Sequence, residues 1–170
     1  MRSLVVCVLI VLGLTACADQ TGADVNPVEV AAATTLTDEL AFTAPTLDEE
    51  TFEGTSLAGK DAVVWFWAPW CTQCRREAPL LAKSQSENPE VAFLGVAGLG
   101  ETGAMRDFVD DYGLDAFEHV ADLDGNVWQR FGVVQQPAYA FIDSGGTIEV
   151  VRGELGEDGI SEHLATLTGS

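Results

Sequence analysis

The chain has 170 residues, of which 47% are hydrophobic, enough for one domain with a real core and too apolar for a disordered polypeptide. Eight Lys and Arg stand against 27 Asp and Glu, a formal charge of −19. Such a chain is repelled by phosphate backbones and anionic headgroups, which argues against nucleic-acid binding and against docking on lipid by charge alone. Four cysteines are too few for a disulfide scaffold, so their positions carry more information than their number.

Arg2 is followed by an apolar run from Leu4 to Leu14, broken only by Gly13. A bilayer-spanning helix needs about 20 apolar residues, so this run is expected to be the core of an export signal, not an anchor. It ends in Leu14-Thr15-Ala16-Cys17, which resembles a bacterial lipobox. The expectation is a lipoprotein signal over residues 1–16 and a lipidated Cys17, with a plain secretory signal as the alternative. Acyl chains on Cys17 would give stable membrane anchoring. Cys7 lies inside the segment to be removed. Residues 17–38 contain no aromatic residue and read as a flexible tether; about 20 residues of coil span on the order of 25 Å.

Residues 39–170 read as one domain. Leu40-Ala41-Phe42 and Thr51-Phe52 suggest short strands around a turn. Residues 62–67 form a continuous apolar run, the pattern of a strand buried on both faces. A helix is predicted over 72–88 and closed by Pro89, then a buried strand over 91–97. Met105, Phe108, Val109 and Tyr112 make the apolar stripe of a helix over 102–112, ended by Gly113. A short strand over 118–121 and a short helix around Val127, Trp128 and Phe131 follow, with Trp128 expected in the core. Two strands over 138–142 and 147–152, joined by Asp143-Ser144-Gly145-Gly146, read as a hairpin, and a helix over 157–167 closes the domain. The order β-α-β-α-β-β-α, with its first two strands parallel, predicts an α/β three-layer sandwich. Tyr139 and Phe141 fit core alternation, and His119 and His163 are expected at the surface.

The chemistry concentrates at Cys71-Thr72-Gln73-Cys74, which follows a buried strand and opens a helix. At a helix N-terminus the free N–H groups and the macrodipole favour an anion, so the Cys71 thiol should ionise below the usual value of about 8.5. Two intervening residues let Cys74 reach Cys71 and close a disulfide; Cys71 would exchange at the surface and Cys74 would resolve the mixed disulfide. A structural zinc site needs four ligands, and past the signal only Cys17, His119 and His163 remain, far apart in sequence. A purely structural disulfide is the other reading, although so short a loop stabilises little. Trp70, beside the pair, suggests a contact surface.

Trp67-Ala68-Pro69-Trp70-Cys71-x-x-Cys74-x-x-Glu77-x-Pro79 resembles the thioredoxin superfamily, and more narrowly its exported TlpA/ResA/DsbE-like branch, including actinobacterial DsbE/DsbF-like members. The resemblance implies a thioredoxin-like fold with a mixed central sheet and helices on both faces. It makes Pro79 the proline inside the active-site helix. Glu77 becomes an acidic residue that assists proton transfer at Cys74, or else a surface glutamate paired with Arg75 or Arg76. Gln135-Gln136-Pro137 becomes the cis-proline loop opposite the cysteines, presenting the Gln136 backbone to an extended substrate.

There are departures. Thioredoxins proper carry a buried aspartate where this chain has Trp65, so any proton relay must pass through Glu77 or water. Arg75 and Arg76 are a local positive spot in an acidic protein, or simply solvated helix surface. Phe42-Thr43-Ala44-Pro45 resembles the start of peroxiredoxin-like proteins, but their Pro-x-x-x-Thr-x-x-Cys arrangement is not formed here, since Pro69 is two residues before Cys71 and Thr72 follows it. The expected activity is extracytoplasmic thiol–disulfide exchange with exported cysteine-containing proteins, using sulfur alone and no cofactor or metal, and recycled by a membrane redox partner. Export and the missing aspartate favour oxidation; reduction of specific clients such as apocytochrome c, and a redox-silent binding module, are the alternatives.

Overall fold

The computed structural model describes residues 38–169. The predicted signal over 1–16, the lipidation site Cys17 and all of the predicted tether except Asp38 lie outside the described residues.

β1 (Thr43–Pro45) and β2 (Thr51–Glu53) form a separate antiparallel hairpin, followed by a 3-10 turn over Gly54–Leu57. The main sheet is built from β3 (Ala62–Trp67), β4 (Ala92–Ala97), β5 (Glu118–Ala121), β6 (Ala138–Ile142) and β7 (Ile148–Arg152), in the order β5-β4-β3-β6-β7. The helices are α1 (Thr72–Glu87), α2 (Thr102–Tyr112), α3 (Asn126–Arg130) and α4 (Gly156–Thr168).

β3 is the central strand, parallel to β4 and antiparallel to β6, and all six of its residues are buried. This accounts for its unbroken apolar sequence, because both of its faces are covered. The chain steps from β3 to β4 to β5 in one direction with parallel pairing. Crossovers of one hand taken in one direction place α1 and α2 on the same face. That face holds Trp65 and Trp67 of β3, Tyr139 and Phe141 of β6, Ala78 and Leu81 of α1, Phe108 of α2, and Ile160 of α4. The opposite face holds Val64 and Phe66 of β3 under Leu40, Phe42 and the short helix α3.

The strand expected at Leu40–Phe42 lies three residues later. Leu40 and Phe42 are buried in the second core instead, and β1 itself is Thr-Ala-Pro, whose proline suits an edge. Trp128 is core as expected, with its indole N–H donating to the Val96 carbonyl at 3.2 Å.

Candidate active site

β3 ends at Trp67, and four residues later the chain starts α1 with Cys71 as its N-cap. The Cys71 sulfur accepts the Cys74 backbone N–H at 3.1 Å. An anion at this atom meets one of the orphan donors of the helix terminus and the positive end of the macrodipole. Cys71 and Cys74 are joined by a disulfide, with Cα atoms 5.2 Å apart. Cys74 is fully buried and Cys71 nearly so. Behind them stands an aromatic stack, with Trp67 and Phe108 ring centroids 4.4 Å apart and Phe108 and Tyr112 at 4.6 Å.

Trp70 is 55% exposed, and its indole N–H donates to the Leu99 carbonyl at 2.6 Å. Leu99, on the loop after β4, has φ +55° and a 59% exposed side chain. A leucine in the left-handed region costs roughly 1–2 kcal/mol, and here the strain sits at the rim of the motif. Nothing in the sequence marks Leu99. A groove of about 580 Å³ opens on the same side, lined by Trp70, Arg75, Gly100, Asp107 and Tyr112 among others. Arg75 donates to the Pro69 carbonyl at 3.0 Å, while Arg76 grips the Glu154 carboxylate with contacts of 2.8 and 2.6 Å. Glu154 thus balances the Arg76 half of the positive spot expected here, whereas the Pro69 carbonyl orients Arg75 without cancelling its charge.

The Gln136–Pro137 peptide is cis. Phe66 pairs with Ala138, so Pro137 lies beside the end of β3, at the edge of the sheet from which the cysteine loop leaves. Among the described residues, the Gln136 N–H and C=O make no backbone hydrogen bond, whereas the Pro137 carbonyl accepts from Gly153 at 2.8 Å. Glu77, which the sequence left between proton transfer at Cys74 and a surface pairing with Arg75 or Arg76, is fully buried. Its Oε1 accepts the N–H groups of Leu155 and Gly156, at 2.5 and 3.2 Å, at the start of α4. Loss of hydration raises its pKa above the usual carboxylate range, and these two hydrogen bonds partly offset that rise. Pro79 sits inside α1, where its missing N–H leaves the Arg75 carbonyl without its helical donor.

Comparison with known proteins gives the same answer as the geometry. Residues 37–151 match the AhpC/TSA family model. The chain belongs to the AhpC/TSA family. Within the thioredoxin superfamily it is a thiol–disulfide oxidoreductase of the DsbE/DsbF type. It is 42% identical over 134 residues to the soluble secreted antigen MPT53 of Mycobacterium tuberculosis, covering 77% of each chain. The structure of MTB DsbF superposes with a TM-score of 0.75 at 49% identity, covering 76% of this chain and 97% of that one. A secreted Mycobacterium tuberculosis disulfide oxidoreductase homologous to E. coli DsbE gives 0.73 at 42% identity, over 76% and 98%.

The AhpC/TSA match runs through Phe42–Pro45, the segment that resembles a peroxiredoxin-like start, yet Cys71 is paired with Cys74 in a CxxC disulfide. Among the described residues, no cluster of three or more His, Cys, Asp or Glu is placed to hold a metal ion.

His119 corrects an expectation. It is 5% exposed, not a surface residue. It faces Gly95 across β4 and β5, where a Cβ would clash with its Nδ1, and its ring meets Trp67 edge-on at 5.7 Å. Nε2 pairs with the Leu114 carbonyl at 3.1 Å, and burial lowers the imidazole pKa to about 4. His163 is half-buried, stacked on Phe141 and 3.3 Å from Glu149.

Proposed function

We propose that this protein oxidises: it passes the Cys71–Cys74 disulfide to pairs of cysteines in exported polypeptides. The observation that carries the reading is the N–H of Cys74 donating to the Cys71 sulfur at the N-cap of α1. A thiolate stabilised there stabilises the reduced enzyme, and a stable reduced form makes a strong oxidant. Trp65 in place of a buried acid supports the same direction, since no carboxylate beneath the motif on β3 opposes ionisation of Cys71.

The client's thiolate attacks the Cys71 sulfur; the bond to Cys74 breaks, and Cys74 leaves as a thiolate that takes up a proton. The client's second thiolate then attacks its own mixed-disulfide sulfur and expels Cys71 as the stabilised thiolate. Two electrons pass from client to enzyme. Glu77, one helical turn beyond Cys74, is the group proposed to exchange the proton with it. Gln136 and Pro137 hold the client segment by strand addition through the unused Gln136 backbone groups, and the exposed Trp70 indole packs against it.

Residues 1–16 act as a lipoprotein signal, Cys17 as the lipid anchor and 17–38 as the tether in this reading, which places the domain 39–170 outside the cytoplasm. The secreted relatives support that compartment. Recycling by a membrane redox protein completes the cycle.

The test is the reduction potential of the Cys71/Cys74 pair, equilibrated with glutathione. A value toward about −120 mV supports the oxidase; one near about −270 mV refutes it in favour of a reductant for clients such as apocytochrome c.

A further inference from the structure

Three buried polar atoms linked through Tyr139 close no hydrogen bond: Glu77 Oε2, the Tyr139 hydroxyl and Trp65 Nε1. They come from three elements. Tyr139 on β6 and Trp65 on β3 are cross-strand partners on the sheet face that α1 covers, and both are essentially solvent-free. Glu77 enters from α1, three residues after Cys74, and both are among the buried residues of that helix. The Tyr139 hydroxyl interacts with the Glu77 carboxyl on one side and the Trp65 indole on the other.

The donor inventory fits a directed chain. An indole N–H can only donate, a carboxylate oxygen accepts, and a phenol does both. Trp65 N–H to Tyr139 oxygen, then Tyr139 O–H to Glu77 Oε2, satisfies all three atoms, whereas any one left unmade is costly in a dry site. The other carboxylate oxygen is already fixed by the Leu155 and Gly156 amides.

We infer that Tyr139, backed by Trp65, is a positioning residue that holds the free oxygen of Glu77 and sets how readily that carboxyl takes the proton of Cys74. The inference rests on the proposed proton exchange between Glu77 and Cys74. When Cys74 attacks Cys71 in a mixed disulfide, the thiol proton passes to Glu77, a sulfur–sulfur bond forms between the two cysteines and the bound thiol leaves as a thiolate. Glu77 must be ionised to accept, and a phenol donating to it favours the ionised form. The other charged groups near the carboxyl are Arg76 on its own helix and Glu154 on the segment before α4, and these two are paired with each other. From β3 and β6 the facing groups are Trp65 and Tyr139.

The experiment uses the full chain with thionitrobenzoate bound to Cys71, and follows its release by Cys74 against pH. In the parent, release should rise with pH as Glu77 ionises, and E77Q should lose that inflection. Y139F keeps the ring and removes the hydroxyl, so its midpoint should move to higher pH and release should be about three- to tenfold slower below the parent's midpoint. Adding Y139F to E77Q should change nothing more. If Y139F does not fold, difluorotyrosine at position 139, with a stronger hydroxyl donor, should move the midpoint the opposite way. A Y139F or difluorotyrosine profile equal to the parent's, or an equal effect in the E77Q background, overturns the role of Tyr139. An unchanged E77Q profile overturns the proton exchange itself.

Discussion

His119 gives a stability test whose size follows from the structure. The imidazole is neutral in the core, with its pKa lowered from an ordinary 6.5 to about 4. The unfolded chain therefore binds a proton between these values that the folded chain does not, and stability contributed by the neutral ring is lost as pH falls from about 6.5 to about 4. At about 1.4 kcal/mol per pH unit, the loss across that window is about 3 kcal/mol, a large share of a typical domain's stability. Glu77 and Asp122 work in the opposite sense, because burial raises their pKa values and favours the protonated folded state on acidification. Comparison with His119→Gln cancels those contributions. Urea unfolding of both proteins, measured at half-unit steps from pH 7.5 to 4, should give a constant difference above pH 6.5. Below it, the parent should lose about 3 kcal/mol relative to the variant. Parallel curves across the whole range would refute a buried, neutral His119.

Gly95→Ala should destabilise by about 1–3 kcal/mol in thermal melts, since the added methyl meets the His119 ring, and most of that cost should vanish beside His119→Ala. Asp122 accepts the N–H groups of Val127 and Trp128 at 3.0 and 2.8 Å; Asp122→Ala should cost about 1–2 kcal/mol in urea titrations and leave thiol exchange intact. Given a client peptide that carries a disulfide, Cys74→Ser should accumulate a mixed disulfide between Cys71 and one client cysteine on non-reducing gels, the other client cysteine leaving as a thiolate, and Cys71→Ser should not. Trp70→Ala should raise KM for a cysteine-containing peptide several-fold with kcat little changed, as expected for a residue that only holds the client.

Local pattern carried much of this fold. The run 62–67 announced a central strand because burial on both faces removes alternation, and the Met105, Phe108, Val109 stripe announced α2 because its period is that of a helix. The cysteine pair was legible for the same kind of reason: strand, turn and helix start fall within a few residues. What escaped depends on distant partners. His119 in a four-residue strand reads the same whether exposed or buried, and the room for it is made by Gly95, on another strand. Glu77 looks like helix surface until α4 arrives with two amides for it. Tyr139 looks like ordinary core until cross-strand register sets it beside Trp65. The first strand slipped by three residues because Leu40 and Phe42 are apolar for packing under the sheet, not for pairing in it.

The proposed direction of exchange rests on the Cys71 sulfur being a stable anion at the start of α1 once it is expelled from the client. Thiolate absorbance of the reduced protein against pH, with Cys74→Ser to isolate the signal, tests this most directly. The account predicts a midpoint at least one unit below the ordinary thiol value of about 8.5; a midpoint at or above it would contradict the account.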